Sequence, residues 1–175
     1  MNRRGQRGFA LLELMLLLGI LGALISPTLI HLENSRLQAR EERLKSNLEE
    51  FRAAIYRYYQ DHGHFPCSPE DFNRQASVEV LKQQLLWFSN RAGKPSRTRN
   101  REYRFGPYLR DFPAEPISGL ATVFIDTTGS ASLVELKKHV STSKSGRGGW
   151  YYQARTGFWL ANLSRHYFKE QYAYF

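Results

Sequence analysis

The sequence predicts an α+β fold: one long amino-terminal helix followed by a head that carries a small antiparallel β-sheet. Three observations predict it. An apolar run extends from Phe9 to Pro27 with Glu13 as its only ionisable side chain. Beyond Pro27 the composition turns charged, yet Leu37, Leu44, Leu48, Phe51, Ile55 and Tyr58 recur as a single stripe at helical spacing. From Leu120 onward the chain offers candidate strands: Thr122, Val123, Phe124 and Ile125 make Leu120–Asp126 β-rich, and Trp150-Tyr151-Tyr152 and Phe158-Trp159-Leu160 flank a turn.

The first element is the helix from about Phe9 to Gln60. Its 19 residues from Phe9 to Pro27 would rise about 28 Å, close to a hydrocarbon core of about 30 Å. Arg3, Arg4 and Arg7 precede the run with no acid among them, which favours an amino end in the cytoplasm and a head facing outward. A charge at membrane depth costs about 2.5–3.5 kcal/mol on insertion scales, so Glu13 is a functional candidate by default. Pro27 removes one ladder hydrogen bond and crowds the preceding turn, so a kink or local melting is expected there. Glu41 and Lys45 form an i, i+4 pair in the favourable order on the solvated side.

Gly63 supplies a left-handed stop for this helix and Pro66 forbids its continuation. Ser68-Pro69-Glu70-Asp71 then reads as a helix start, with a serine cap, a proline in the first position and acids in the first turn. Phe72, Val78, Leu81, Leu85 and Phe88 make this second helix amphipathic to about Ser89. Arg91 to Arg101 is a basic, acid-free stretch that reads as a solvated loop without interleaved aromatics. Leu120–Asp126 reads as a buried strand, Leu133–Val140 as another, and Trp150–Leu160 as a hairpin turning at Gly157.

Four motifs carry a family resemblance. "RGFALLELMLLLGILGALISPTLI" resembles the amino-terminal segment of type IV pilins and of the pseudopilins of type II secretion. Just after the long helix, Tyr58 or Tyr59, Asp61, Gly63, Phe65 and Pro66 are similar to the conserved turn of major pseudopilins. Tyr108, Leu109, Pro113, Pro116 and Gly119 resemble the segment that leads into their sheet, and the "GWYY…TG…AN" ending is similar too. The resemblance implies a type IV pilin-like fold in which the helix packs its second half on the sheet. It also implies a leader over residues 1–8, a membrane-spanning assembly helix over 9–30 and a periplasmic head over 31–175.

The same resemblance implies a role for each site residue. A prepilin peptidase would cut between Gly8 and Phe9 and methylate the new amine of Phe9. Glu13 would become the fifth residue of the mature chain, and its carboxylate would neutralise the Phe9 amine of a neighbouring subunit. Glu13 and Pro27 are thus the assembly residues of the helix. The implied partners are copies of this chain, other pseudopilins, the peptidase and the inner-membrane platform of a secretion system. The implied location is the bacterial inner membrane, single-pass, and the implied role is structural, without enzymatic activity.

Charge and side-chain inventory bound the remaining possibilities. The net charge is +9; without residues 1–8, 22 Lys and Arg face 16 Asp and Glu, or +6. This favours acidic surfaces without identifying one. The alternative function is a minor pilin-like subunit that binds DNA or another partner through Arg91–Arg101 and the loop around Lys144 and Arg147, although nucleic acid is the less expected partner. Cys67 is the single cysteine, so no intramolecular disulfide can form, unlike in many pilins. His62 and His64 flank a turn glycine and are expected as exposed turn residues rather than metal ligands. Major pseudopilins bind calcium in a carboxy-terminal loop, but Ser141–Ser164 holds no Asp or Glu. Since calcium needs oxygen ligands, usually with several carboxylates, no metal or other cofactor is expected.

Overall fold

The structure, a computed structural model, describes residues 4–68, 76–127, 148–163 and 172; for 4–12 and 20–32 it describes the backbone alone. The chain divides into two compact units, Met1–Ala39 and Arg40–Phe175. The architecture is α+β; the described residues form one long helix, one short helix and two small sheets.

Helix α1 runs from Arg4 to His62, 59 residues. It is unbroken across Pro27, so the expected local melting does not occur there. Proline deletes a single ladder bond, and the neighbouring bonds continue the helix on either side. The helix ends at Gly63, whose φ of +78° lets its amide donate to the Tyr59 carbonyl at 2.8 Å. In the second unit α1 buries Leu44, Leu48, Phe51, Ala54, Ile55 and Tyr58. The predicted stripe is therefore correct from Leu44 onward and gains Ala54, whereas Leu37, 37 % exposed, is not part of it.

Helix α2 spans Val78–Leu86, shorter than the predicted helix at both ends. Its cap is Ser77, whose side chain accepts from the Val80 amide at 3.2 Å. The predicted start at Pro69–Asp71 lies outside the described residues, as does Phe72. At the other end the chain turns extended at Trp87 and forms strand β1 (Phe88–Ser89), antiparallel to β2 (Pro95–Ser96). The Leu85 carbonyl, which a further helical turn would use, accepts instead from the Tyr108 and Leu109 amides at 2.9 Å, and the Ser89 backbone pairs with Phe105.

The second sheet orders β3 (Val123–Asp126), β4 (Trp150–Gln153) and β5 (Phe158–Ala161) as β3-β4-β5. Strands β4 and β5 form the predicted hairpin, with Gly157 in the turn at φ +72°. The sheet is not wholly antiparallel, however: β3 runs parallel to β4. A two-residue turn can join only antiparallel neighbours, and the long connection from Asp126 to Trp150 permits the crossover that parallel pairing requires. Among the described residues β3 is an edge strand rather than a buried one, with Phe124 58 % exposed. The expected strand Leu133–Val140 lies outside the described residues.

The hairpin's alternation divides its aromatics between two faces. Trp150, Tyr152 and Trp159 join the main core with α1 and α2, while Tyr151 and Leu160 form a second cluster with Phe158. Phe51 is the centre of the main core. Its ring stacks on Trp159 at 4.3 Å and meets Phe112 and Trp150 edge-on at 4.9 and 5.1 Å.

Candidate functional site

The sequence-predicted site residues all lie on α1, so the helix alone fixes their spacing. Gly8, Phe9 and Pro27 have helical backbone, and their side chains lie outside those described. Glu13 is exposed and opens a segment in which Leu14, Met15, Leu16, Leu17 and Leu18 are 52–70 % exposed. Phe9 and Glu13 are four positions apart, which puts the two positions on one face of the helix. A carboxylate, a glycine junction and an uncovered apolar helix are thus brought together by local sequence. Among the described residues no helix is long and apolar enough to cross a membrane, and most of the span expected over 9–30 falls on side chains outside that set.

The turn after α1 holds a cluster that the sequence does not announce. The Tyr108 hydroxyl donates to Asp61 Oδ2 at 2.7 Å, and Arg57 donates to the Tyr108 carbonyl at 2.6 Å. His62 Nδ1 lies 3.3 Å from the Arg91 carbonyl. A carbonyl can only accept, so Nδ1 carries the proton, and Nε2 is left to accept from the Ser89 hydroxyl at 3.0 Å. Tyr108 Oη is also 3.1 Å from Nε2, and the Phe105 ring is 5.3 Å from the imidazole. His62 is therefore half-buried rather than an exposed turn residue, because the 88–108 segment folds over the helix end.

Burial lowers the proton affinity of His62 below that of free imidazole, outweighing the Arg91 carbonyl and Asp61, which act the other way. Burial also raises the Tyr108 pKa, helped by Asp61. Tyr108 thus stays a neutral donor. The Ser89–His62 pair is not arranged as a nucleophile and its base. Ser89 is fully buried, and the carboxylate reaches the ring through Tyr108 on the Nε2 side, not at Nδ1. Its chemistry is that of a clamp holding α1, β1 and the Tyr108 segment together.

The other motif residues also have structural partners. The Tyr152 hydroxyl donates to the Pro66 carbonyl at 2.8 Å, and Phe65 stacks on Tyr59 at 4.6 Å. Cys67 is buried, with its amide donating to Gln84 Oε1 at 2.9 Å. Glu115 is fully buried, and its carboxylate accepts from the amides of Ile117 and Ser118 at 2.6 and 2.7 Å. Asp126 accepts from the Tyr151 hydroxyl at 2.7 Å. Among the described residues no group of three or more His, Cys, Asp or Glu is placed to hold a metal ion. Sequence reasoning missed the His62 arrangement because its partners Ser89, Arg91 and Tyr108 are brought in by chain reversals, whereas the Glu115 arrangement is a local turn in which the carboxylate accepts from amides two and three residues on. No family model, no curated protein and no solved structure matches this chain.

Proposed function

We propose that the chain is a structural filament subunit of the pseudopilin kind, with a type IV pilin-like fold, serving a type II secretion system at the bacterial inner membrane. The observation that carries this reading is the placement of Glu13 at the head of an exposed apolar helical segment, Leu14–Leu18, on the helix whose later turns form the core of the head. An uncovered apolar surface of this kind needs lipid or other helices around it. In either surrounding an unpaired carboxylate is costly, and a cationic partner relieves that cost and fixes axial register. Cleavage between Gly8 and Phe9 creates such a cation, the Phe9 amine, on each subunit. The partners are copies of this chain and related subunits, the processing peptidase and the membrane platform that extracts subunits from the bilayer.

The test has two arms. Mass spectrometry of the membrane-bound protein, in a host with an active prepilin peptidase, should find an amino terminus at Phe9, methylated. Glu13→Ala should insert and be processed normally, yet lose most of the cross-linked oligomer ladder formed by the native chain. An intact Met1 terminus, or a native ladder from Glu13→Ala, would defeat the proposal.

A further inference from the structure

The basic segment between Trp87 and Phe105 is held on a fixed frame. Asn90 Oδ1 accepts from the amides of Ala92 and Lys94 at 3.1 and 3.0 Å. Asn100 Oδ1 accepts from those of Glu102 and Tyr103, both at 2.9 Å. Ser96 Oγ accepts from the Thr98 amide and donates to the Thr98 carbonyl, each at 3.1 Å. Gln84 Nε2 and the Tyr58 hydroxyl donate to the Gly93 carbonyl at 3.3 and 3.5 Å, tying the loop to α2 and α1. Cations on such a frame lose less conformational freedom on meeting a partner than cations on a free loop.

On this frame three guanidinium groups lie over aromatic rings. Arg97 is 4.7 Å from the Trp87 centroid, Arg99 is 6.0 Å from that of Phe88, and Arg104 is 5.1 Å from that of Phe105. The rings are half-buried and the three arginines are exposed. The aromatics that the 91–101 run lacks in sequence are thus brought to Arg97 and Arg99 from its amino-terminal flank by the fold, while Arg104, just beyond the run, covers its neighbour Phe105. Arg91, Lys94 and Arg101 add charge, and Glu102 is the only acid in the segment. Its carboxylate accepts from Asn90 Nδ2 at 3.1 Å.

We propose that this segment binds single-stranded nucleic acid. A ring under a guanidinium orients its plane, so the N–H edges can meet phosphates in paired hydrogen bonds while its outer face accepts a stacked base. An acidic peptide would use the charge but offers no run of planar groups to those faces, and a duplex keeps its base faces hidden. The predominance of arginine over lysine in the segment fits the same chemistry. The assignment does not rest on the filament role.

Full-length protein in detergent micelles, titrated into a fluorescein-labelled 20-nucleotide oligo(dT), tests it by anisotropy. Engaging about three to five phosphates should give a log Kd against log salt slope of roughly 2 to 3.5. Arg97→Ala/Arg99→Ala/Arg104→Ala should weaken binding at least thirtyfold, and the matching triple lysine variant at least fivefold. Arg36→Ala/Arg40→Ala/Arg43→Ala removes the same charge from exposed positions on α1 and should change Kd less than threefold. The proposal fails if the native chain shows no salt-dependent binding, if the α1 control loses as much as the first variant, or if the lysine variant binds like the native chain. Competition by poly-glutamate as effective as by unlabelled oligo(dT) would also overturn it, in favour of an acidic protein partner.

Discussion

Replacing Phe51 by alanine should be among the most damaging single changes to the head. The ring is fully buried, and Trp159, Phe112 and Trp150 surround it at 4.3–5.1 Å. Truncating a buried Phe costs about 3–5 kcal/mol, with the upper end reached where the walls cannot collapse. These walls are pinned: the Trp150 indole donates to the Pro113 carbonyl at 3.0 Å, and Trp159 sits in β5, with Arg52 donating to its carbonyl at 3.3 Å. We therefore expect about 4–5 kcal/mol, a large share of the roughly 5–15 kcal/mol that stabilises a typical domain. The control is Leu37→Ala, equally part of the apolar stripe in the sequence but 37 % exposed; its cost should stay near 0.5 kcal/mol. Guanidinium unfolding of the full chain in a mild detergent, followed by tryptophan fluorescence, reads both, because Trp150 and Trp159 report from beside the mutated ring. A gap of less than about 1 kcal/mol between the two variants would refute the assignment of Phe51 as the core's centre and of Leu37 as outside it.

Further outcomes follow from the clamp, the hairpin and the buried carboxylate. Since burial lowers the folded-state pKa of His62 below its ordinary 6.5, the unfolded chain takes up the proton first as pH falls; stability contributed by neutral His62 is complete above about pH 6.5 and is lost on acidification toward the lower folded-state pKa. His62→Gln should flatten this part of the unfolding midpoint–pH curve between pH 7 and 5, and an unchanged slope would show that His62 does not carry it. Gly157→Ala should destabilise the hairpin, because φ is +72° and the added Cβ would fall 2.4 Å from Phe65 Cε1; a variant melting at the native temperature would contradict that close approach. Glu115→Ala strands the Ile117 and Ser118 amides that its carboxylate accepts from, so thermal unfolding should show a loss of about 2–3 kcal/mol; a loss below about 0.5 kcal/mol would mean the carboxylate is dispensable to the 115–119 turn.

The sequence by itself determined what depends on neighbours along the chain. An apolar run, a helical period and a stop glycine before a proline are enough to read α1 and its end at Gly63, and strand alternation with a turn glycine is enough to read the hairpin around Gly157. The spacing of Gly8, Phe9 and Glu13 is likewise a property of one helix. What local pattern could not decide was where an element yields to a better long-range partner. Helix α2 stops at Leu86 because the Ser89 backbone pairs with Phe105, 16 positions on, and Leu37 matches the stripe's period yet is left outside the core. The direction of β3 was hidden for the same reason: period 2 looks identical in parallel and antiparallel strands, and only the pairing of β3 with β4 in space selects one. The His62–Ser89–Tyr108 clamp and the Arg97–Trp87 and Arg99–Phe88 pairs join residues from separate elements or across intervening turns. Burial, ring stacking and proton affinity all depend on such through-space neighbours, so they come into being only with the tertiary structure.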